Sequence, residues 1–285
     1  MDAGLAVEIE EVEYLRHGEK PFLARVFKPA GRGPFPAVIE AHGGAWSSGE
    51  RSNNDSINRE VAAGGVVVVA LDFRVPPDAT YPGSVADVNY GVRWLKSQAE
   101  RFLTRPQWVG SMGTSSGGHL VVLAALKPED PRYAAIARPE TRGFDAHVAY
   151  CVTLWPVICP WGRYQDRKSQ PQGAEPYQGR GGTLGLQEKY WLNEAAMAEG
   201  SPTLALERGD PVALPDILYL QNPIDKLHPR ANLEQFVANY RKRGGKLQLE
   251  WFEGATYDLI RSEPQSAAAK EAVRKIIAFI KGYAK

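Results

Sequence analysis

Trp108-Val109-Gly110-Ser111-Met112-Gly113-Thr114-Ser115-Ser116-Gly117-Gly118-His119-Leu120 is the stretch whose reading decides the fold. Trp108 to Met112 reads as a short buried strand. Gly113 to Gly117 fits the pattern G-x-S-x-G, and Gly117 to Leu126 reads as a helix rich in small and apolar residues. A strand, a sharp glycine-flanked turn and a helix place a serine in a strained conformation above the C-terminal edge of a sheet. The small neighbours are required because bulky ones would clash there. On this reading Ser115 is a candidate nucleophile, and the start of the following helix puts backbone N–H groups and a positive dipole end near a developing oxyanion.

Working outward, the chain alternates strand and helix, which predicts a mainly parallel sheet flanked by helices. Upstream, Val7–Tyr14 and Leu23–Phe27 read as an antiparallel edge hairpin around His17-Gly18-Glu19-Lys20-Pro21. Pro36–Ala41 is a buried strand that runs into His42-Gly43-Gly44-Ala45-Trp46, and Ser56–Ala63 reads as a helix. Val66–Asp72 is a pure apolar run of the kind covered on both faces. Apolar residues at helical spacing predict a helix over Pro82–Ala99. Downstream, Val148–Leu154, Ile217–Leu220 and Leu247–Phe252 read as strands, with helices over Pro229–Arg243 and Ala267–Tyr283. Residues 155–206 break the pattern: they are rich in Pro, Gly, Trp and Tyr, and read as an inserted lid. The expected organisation is one α/β domain over residues 1–285 carrying that insertion.

Composition narrows the function classes. The chain has 285 residues, with 34 basic and 33 acidic side chains. That near balance, without a basic stripe, argues against a nucleic-acid partner. The longest apolar run, Val66–Leu71, is too short to cross a membrane. Met1–Leu5 carries no charged region leading into an apolar one, so a cytoplasmic protein is expected. Cys151 and Cys159 are the only cysteines, too few for a disulfide framework or a structural zinc site, and are read as buried free thiols. No metal or organic cofactor is implied, because there is no ligand cluster and no dinucleotide or P-loop fingerprint. The expected partner is a small-molecule substrate.

These motifs resemble α/β-hydrolases of the carboxylesterase type: the hormone-sensitive-lipase-like, feruloyl-esterase-like and kynurenine-formamidase-like esterases. The likeness rests on His42-Gly43-Gly44-Ala45-Trp46, Asp72-Phe73-Arg74, Tyr81-Pro82, the Asp87–Trp94 helix, Gly113–Leu120 and Asp225. It implies an α/β-hydrolase fold in which Ser115 is the nucleophile. It also implies that Gly43, Gly44 and Ser116 supply oxyanion-hole amides, that His42 organises its own turn, and that Asp225 is the triad acid. These families include dimers, which leaves a homodimer open.

One part of the pattern is absent. The resemblance places the triad histidine after the last strand and before the C-terminal helix, where this chain has Thr256 or Tyr257. A Thr hydroxyl is no base near neutral pH, and Tyr, with a reference pKa near 10, is a poor one. Of the five histidines, His17, His42, His119 and His147 are placed elsewhere by their elements; His119, on the helix after the turn, is expected to pack against the sheet. His228, three residues after Asp225, is the best remaining base. The leading expectation is a serine hydrolase that cleaves an ester or amide-like bond of a small aromatic or apolar acyl compound through a Ser115 acyl-enzyme. Two alternatives stand: a lyase, isomerase or cyclase on the same scaffold, in which Tyr257, Asp258 or His228 moves a proton, and an impaired or engineered variant that binds ligand without turnover. Trp46, Trp155, Trp161 and Tyr257 are the substrate-pocket candidates, and Arg74 is either an anion contact or a structural ion-pair partner.

Overall fold

The computed structural model describes residues 4–171, 183–254 and 256–284. Its sheet-forming strands are β1 (Val7–His17), β2 (Lys20–Pro29), β3 (Ala37–Ala41), β4 (Val67–Leu71), β5 (Val109–Thr114), β6 (Tyr150–Leu154), β7 (Asp216–Gln221) and β8 (Leu247–Trp251). They form one sheet in the order β1-β2-β4-β3-β5-β6-β7-β8. β2 runs antiparallel to both β1 and β4, and every later pairing is parallel. The hairpin strands are longer than their sequence pattern suggests, meeting at His17 and Lys20 around Gly18, whose φ is +57°.

Helices cover both faces, which is why β3, β4 and β6 are buried at every position. On one face lie α1 (Asp55–Ala63), α9 (Leu259–Ser262) and α10 (Ala267–Lys281). Ile57, Val61, Ile260, Val273 and Ile276 pack there against Val38, Val68, Met112 and Val152. The other face carries α2 (Gly83–Ser97), α3 (Ser115–Leu126) and α8 (Arg230–Lys242), with Val85, Leu120, Leu233 and Phe236 over Ile39, Val69, Val109 and Ile217. Periodic apolar residues give α8 and α10 one buried stripe each, whereas α3 is buried along almost its whole length.

Strand order reverses beside β3: β4 lies on one side of it and β5 on the other. A crevice opens at the C-terminal ends of the strands next to such a reversal, where ligands collect in open α/β sheets. Between β6 and β7 the chain forms α4 (Pro160–Ser169), α5 (Thr183–Trp191), α6 (Glu194–Glu199) and α7 (Pro202–Arg208). The expected lid over residues 155–206 falls on this segment, and its part 172–182 lies outside the described residues. Tyr190 and Trp191 join the main core on the α2/α3 face. Both cysteines are buried and free, and among the described residues no helix is long and apolar enough to cross a membrane.

Candidate active site

The turn between β5 and α3 is strained where the sequence asks for strain. Ser115 has φ +52°, unusual for a residue with a side chain. Gly117 explains why the turn needs its glycines: a Cβ there would stand 2.1 Å from Ala41 O and 2.3 Å from His42 O. The loop after β3 thus lies directly against the start of α3, and only hydrogen fits between them. That loop makes a second unusual turn, with Gly44 at φ +122°, Ala45 at +50° and Trp46 at +59°. A Cβ on Gly44 would lie 2.0 Å from Ser48 O. His42 is buried and stacks on Phe73, and its Nδ1 lies 2.7 Å from Gly43 O. Burial lowers the His42 pKa, so the neutral ring can donate to that carbonyl and brace the turn.

His228 reaches Ser115. Its Nε2 lies 3.2 Å from Ser115 Oγ, and its Nδ1 lies 2.7 Å from Asp225 Oδ2. With Nδ1–H donating to the carboxylate, Nε2 is left as acceptor for the serine hydroxyl. The local sequence makes this possible. Gln221-Asn222-Pro223-Ile224-Asp225 leaves β7, and Asp225 folds the chain back on itself: its Oδ1 accepts from Leu227 N at 2.8 Å and from His228 N at 3.2 Å. Gln221 Nε2 donates to Asp225 Oδ2 at 2.8 Å. Burial pushes the Asp225 carboxyl up, but the His228 charge and the hydrogen bonds from His228, Leu227 and Gln221 outweigh it, and the net shift is downward. Asp225 is therefore ionised near neutral pH.

Thr256 and Tyr257, the positions where resemblance places the histidine, take other parts. Thr256 is exposed; its Oγ1 bonds Ser262 Oγ at 3.0 Å and its carbonyl accepts from Asn222 Nδ2 at 3.0 Å. Tyr257 packs beside His228 with ring centroids 5.7 Å apart, and edge-on to Trp155 at 6.4 Å.

A cavity of about 300 Å³ opens over Ser115. Gly43, Gly44, Trp155, Leu186, Leu227, His228 and Tyr257 line it, together with the polar Asn54, Thr114, Arg163, Asp258 and Arg261. Trp155 and Tyr257 thus stand where the sequence suggested pocket aromatics. Trp46 and Trp161 do not. The left-handed turn at Ala45 and Trp46 sends the indole away from the cavity into the core, stacked on Tyr190 and edge-on to Trp191. Trp161, in the first turn of α4, is exposed to solvent. His119 is buried as expected, but between aromatic rings: Trp46 Nε1 donates to its Nδ1 at 3.1 Å, and its Nε2 bonds Gly200 O at 2.8 Å. Burial pushes the His119 pKa down to about 4, so the ring is neutral and links the Gly44–Trp46 turn to α3. Arg74 is a structural partner, bonded to Asp87.

Sequence reading passed over Asn54, Thr114, Arg163, Gln221 and Arg261, and offered Asp258 only as one acid or base for non-hydrolytic chemistry. Arg163 donates to Gln187 Oε1 from Nε at 3.1 Å and from Nη2 at 2.7 Å, and its guanidinium lies over Trp46. Arg261 is ion-paired with Asp258. Only Asn53-Asn54 carried a usable signal, two adjacent side-chain amides shortly after the Gly43-Gly44 turn. Among the described residues no group of three or more His, Cys, Asp or Glu is placed to hold a metal ion.

A family model described as BD-FAE matches residues 26–158. Esterase LipC of Mycobacterium tuberculosis is 33% identical over 143 residues, covering 50% of this chain and 33% of LipC. The probable carboxylic ester hydrolase LipM of the same organism is 34% identical over 135 residues, covering 47% of this chain and 30% of LipM. The matches to these two relatives thus span about a third of their own length. An esterase of Pyrobaculum calidifontis superimposes with a TM-score of 0.78 at 23% identity, over 99% of this chain and 87% of its own. Butyrate-bound Est2 of Thermogutta terrifontis does so with a TM-score of 0.74 at 20% identity, over 96% and 94%. The family-model match includes Ser115 and ends before Asp225 and His228. The N-terminal half is thus similar to carboxylic ester hydrolases, and the whole chain shares the α/β-hydrolase fold of solved esterases.

Proposed function

We propose that this chain is a serine hydrolase that cleaves esters of small acyl groups through a Ser115 acyl-enzyme. The observation that carries the reading is the pair of hydrogen bonds running from Ser115 Oγ to His228 Nε2 and from His228 Nδ1 to Asp225 Oδ2. His228 accepts the serine proton as Oγ adds to the substrate carbonyl. The backbone N–H groups of Gly43, Gly44 and Ser116 receive the developing oxyanion, helped by the N-terminal end of α3. His228 then gives its proton to the departing alcohol, which leaves the acyl group on Ser115. Water enters, His228 takes one of its protons, and the second tetrahedral adduct collapses to acid and free serine. Asp225, ionised and buried, holds the imidazole in the required tautomer and balances the imidazolium that forms.

The cavity favours a small acyl group. Its volume of about 300 Å³ is at the lower end for ligand sites. Trp155, Leu186, Leu227 and Tyr257 give it an apolar part suited to an aromatic or short aliphatic chain. The alternatives of non-hydrolytic chemistry and of binding without turnover arose from the absent histidine after β8; with His228 at hydrogen-bond distance they lose that motive.

Time-resolved release of p-nitrophenol from p-nitrophenyl acetate and butyrate tests the reading. Steady turnover is expected, abolished by Ser115→Ala and by His228→Ala. A single burst without turnover would mean that Ser115 acylates while water is not activated. Full turnover in Ser115→Ala would exclude the covalent mechanism.

A further inference from the structure

β3 contains an anomaly. All five of its residues are buried, and one of them, Glu40, is a carboxylic acid. Among the described residues Glu40 has no ion-pair partner. Two amides of the α1 segment hold it: Asn54 Nδ2 donates to Oε1 at 2.7 Å and Asn58 Nδ2 to Oε2 at 3.2 Å. Asn54 Nδ2 also donates to Thr114 Oγ1 at 3.0 Å. Thr114 immediately precedes Ser115, and both Asn54 and Thr114 line the cavity. Glu40 itself lies two residues before His42, where the Gly43-Gly44 turn begins. An amide shared between a buried carboxylate and the residue before the nucleophile is a mechanical link. The steps proposed above make no use of it.

We propose that Glu40 is a positioning residue for Ser115, acting through Asn54 and Thr114 to fix the turn that presents the serine to His228. This rests on the serine-hydrolase reading. A carboxylate accepts more strongly than a neutral group, so the ionised form grips the Asn54 amide and orients it toward Thr114. The protonated form also has a place. Asn58 Oδ1 is buried without a hydrogen-bond partner, and turning that amide end for end would let it accept a Glu40 O–H. The two protonation states therefore differ in how tightly the Thr114 link is held. Burial pushes the Glu40 carboxyl up to about 7, against the pull of the Asn54 and Asn58 amides.

The charged groups around it are few. Asp55 on α1, ion-paired with Arg25 and Arg59, adds to the upward shift. The Asp258–Arg261 pair lies where α9 meets α1, with Ser56 Oγ donating to Arg261 O at 3.5 Å. His42 follows on the same strand end and is held neutral by burial. The neighbours of Glu40 in register on β4 and β5, Ala70 and Met112, are apolar.

A double-substitution cycle on kcat for p-nitrophenyl butyrate, with thermal melts of each variant, tests the link. Glu40→Gln is expected to lower kcat about 3–10-fold at pH 8, with KM within about twofold. In a Thr114→Val background, where the acceptor hydroxyl is gone, the same substitution is expected to change kcat less than about twofold. Thr114→Ser keeps the hydroxyl and is expected to keep the full Glu40 effect, which covers the case in which the valine variant fails to fold. The unmodified chain should also show an inflection in log kcat near neutral pH, beyond the ionisation of its base, and Glu40→Gln should lack it. Equal losses in the valine and threonine backgrounds, loss of the Glu40 effect in the Thr114→Ser background, or an unchanged pH profile in Glu40→Gln would each overturn the inference while leaving the hydrolase reading intact. An unmodified chain that releases no p-nitrophenol would overturn the hydrolase reading itself.

Discussion

Two loops leave adjacent parallel strands at the same edge of the sheet, and they divide the work unexpectedly. The loop after β8, residues 252–258, stands where relatives of this type are expected to carry their histidine; here it presents Tyr257 to the cavity and hooks the Thr256 carbonyl to its neighbour. The loop after β7, residues 222–228, carries both Asp225 and His228, the proposed acid and base, three residues apart. That spacing works because Asp225 accepts the Leu227 and His228 N–H groups, a tight turn that brings the imidazole over its own orienting carboxylate. A triad is a geometric requirement, and a base arriving from the neighbouring loop satisfies it as well as one from the usual place.

The sharpest way to break this comparison is to remove the base from one loop and offer it in the other. His228→Ala is expected to lower kcat by roughly 10⁴–10⁶ while leaving the fold intact by circular dichroism. Tyr257→His alone should leave kcat within about tenfold of the unmodified chain, because His228 still holds Ser115. A large loss from Tyr257→His paired with little loss from His228→Ala would move the base to the β8 loop.

Asp225→Asn comes next, with an expected loss of roughly 10²–10⁴ in kcat, since the amide can hold the wrong imidazole tautomer. It also has a stability signature. The folded Asp225 pKa lies below its ordinary value, so the carboxylate stabilises the fold above the unfolded value of about 3.9 and that contribution is lost as pH falls through the lower folded value. Acid unfolding followed by fluorescence should therefore lose part of its steepness below about pH 4 in Asp225→Asn.

The two loops are also tied to each other. Asn222 is buried, donates to Thr256 O at 3.0 Å and accepts from Ile224 N at 2.9 Å. Asn222→Ala leaves both backbone groups without these partners, with an expected stability loss of about 1–3 kcal/mol in urea melts. A drop in kcat of about tenfold should accompany it, since the β7 loop carries both proposed partners of Ser115. The smallest effect belongs to Tyr257→Phe, which keeps the ring against His228 and removes only the hydroxyl. KM for p-nitrophenyl butyrate should move less than about threefold and kcat hardly at all. A hundredfold loss in kcat would give the β8 loop a chemical role that its packing alone does not.

The sequence and the structure agree most closely where a local rule forces the outcome. Gly113 and Gly117 flank the turn because a side chain at either would collide with backbone, and that constraint is written into a five-residue pattern. Trp46 shows the opposite case. Its position after two glycines suggested a pocket wall, but the left-handed backbone at Ala45 and Trp46 redirects the indole to His119, Tyr190 and Trp191, residues 73 or more positions away in the chain. Glu40 lay in plain view as the one acid in β3, yet its partners, Asn54 and Asn58, and Thr114, which Asn54 also bonds, come from two other segments and could not be read from its neighbours.

What the sequence by itself determined is the alternation that makes a parallel sheet, the strained serine turn and the glycine turn beside it, because each follows from local periodicity or from steric limits within a few residues; Asp225 as the acid came from family resemblance. The sequence singled out His228, but only the tertiary structure brings its Nε2 to 3.2 Å from Ser115 Oγ, sorts the candidate aromatics into those that face the cavity and those that do not, and shows what holds Glu40. Those depend on where loops from separate strands converge at the sheet edge, and hydrogen-bond distances there are fixed by packing across the whole domain.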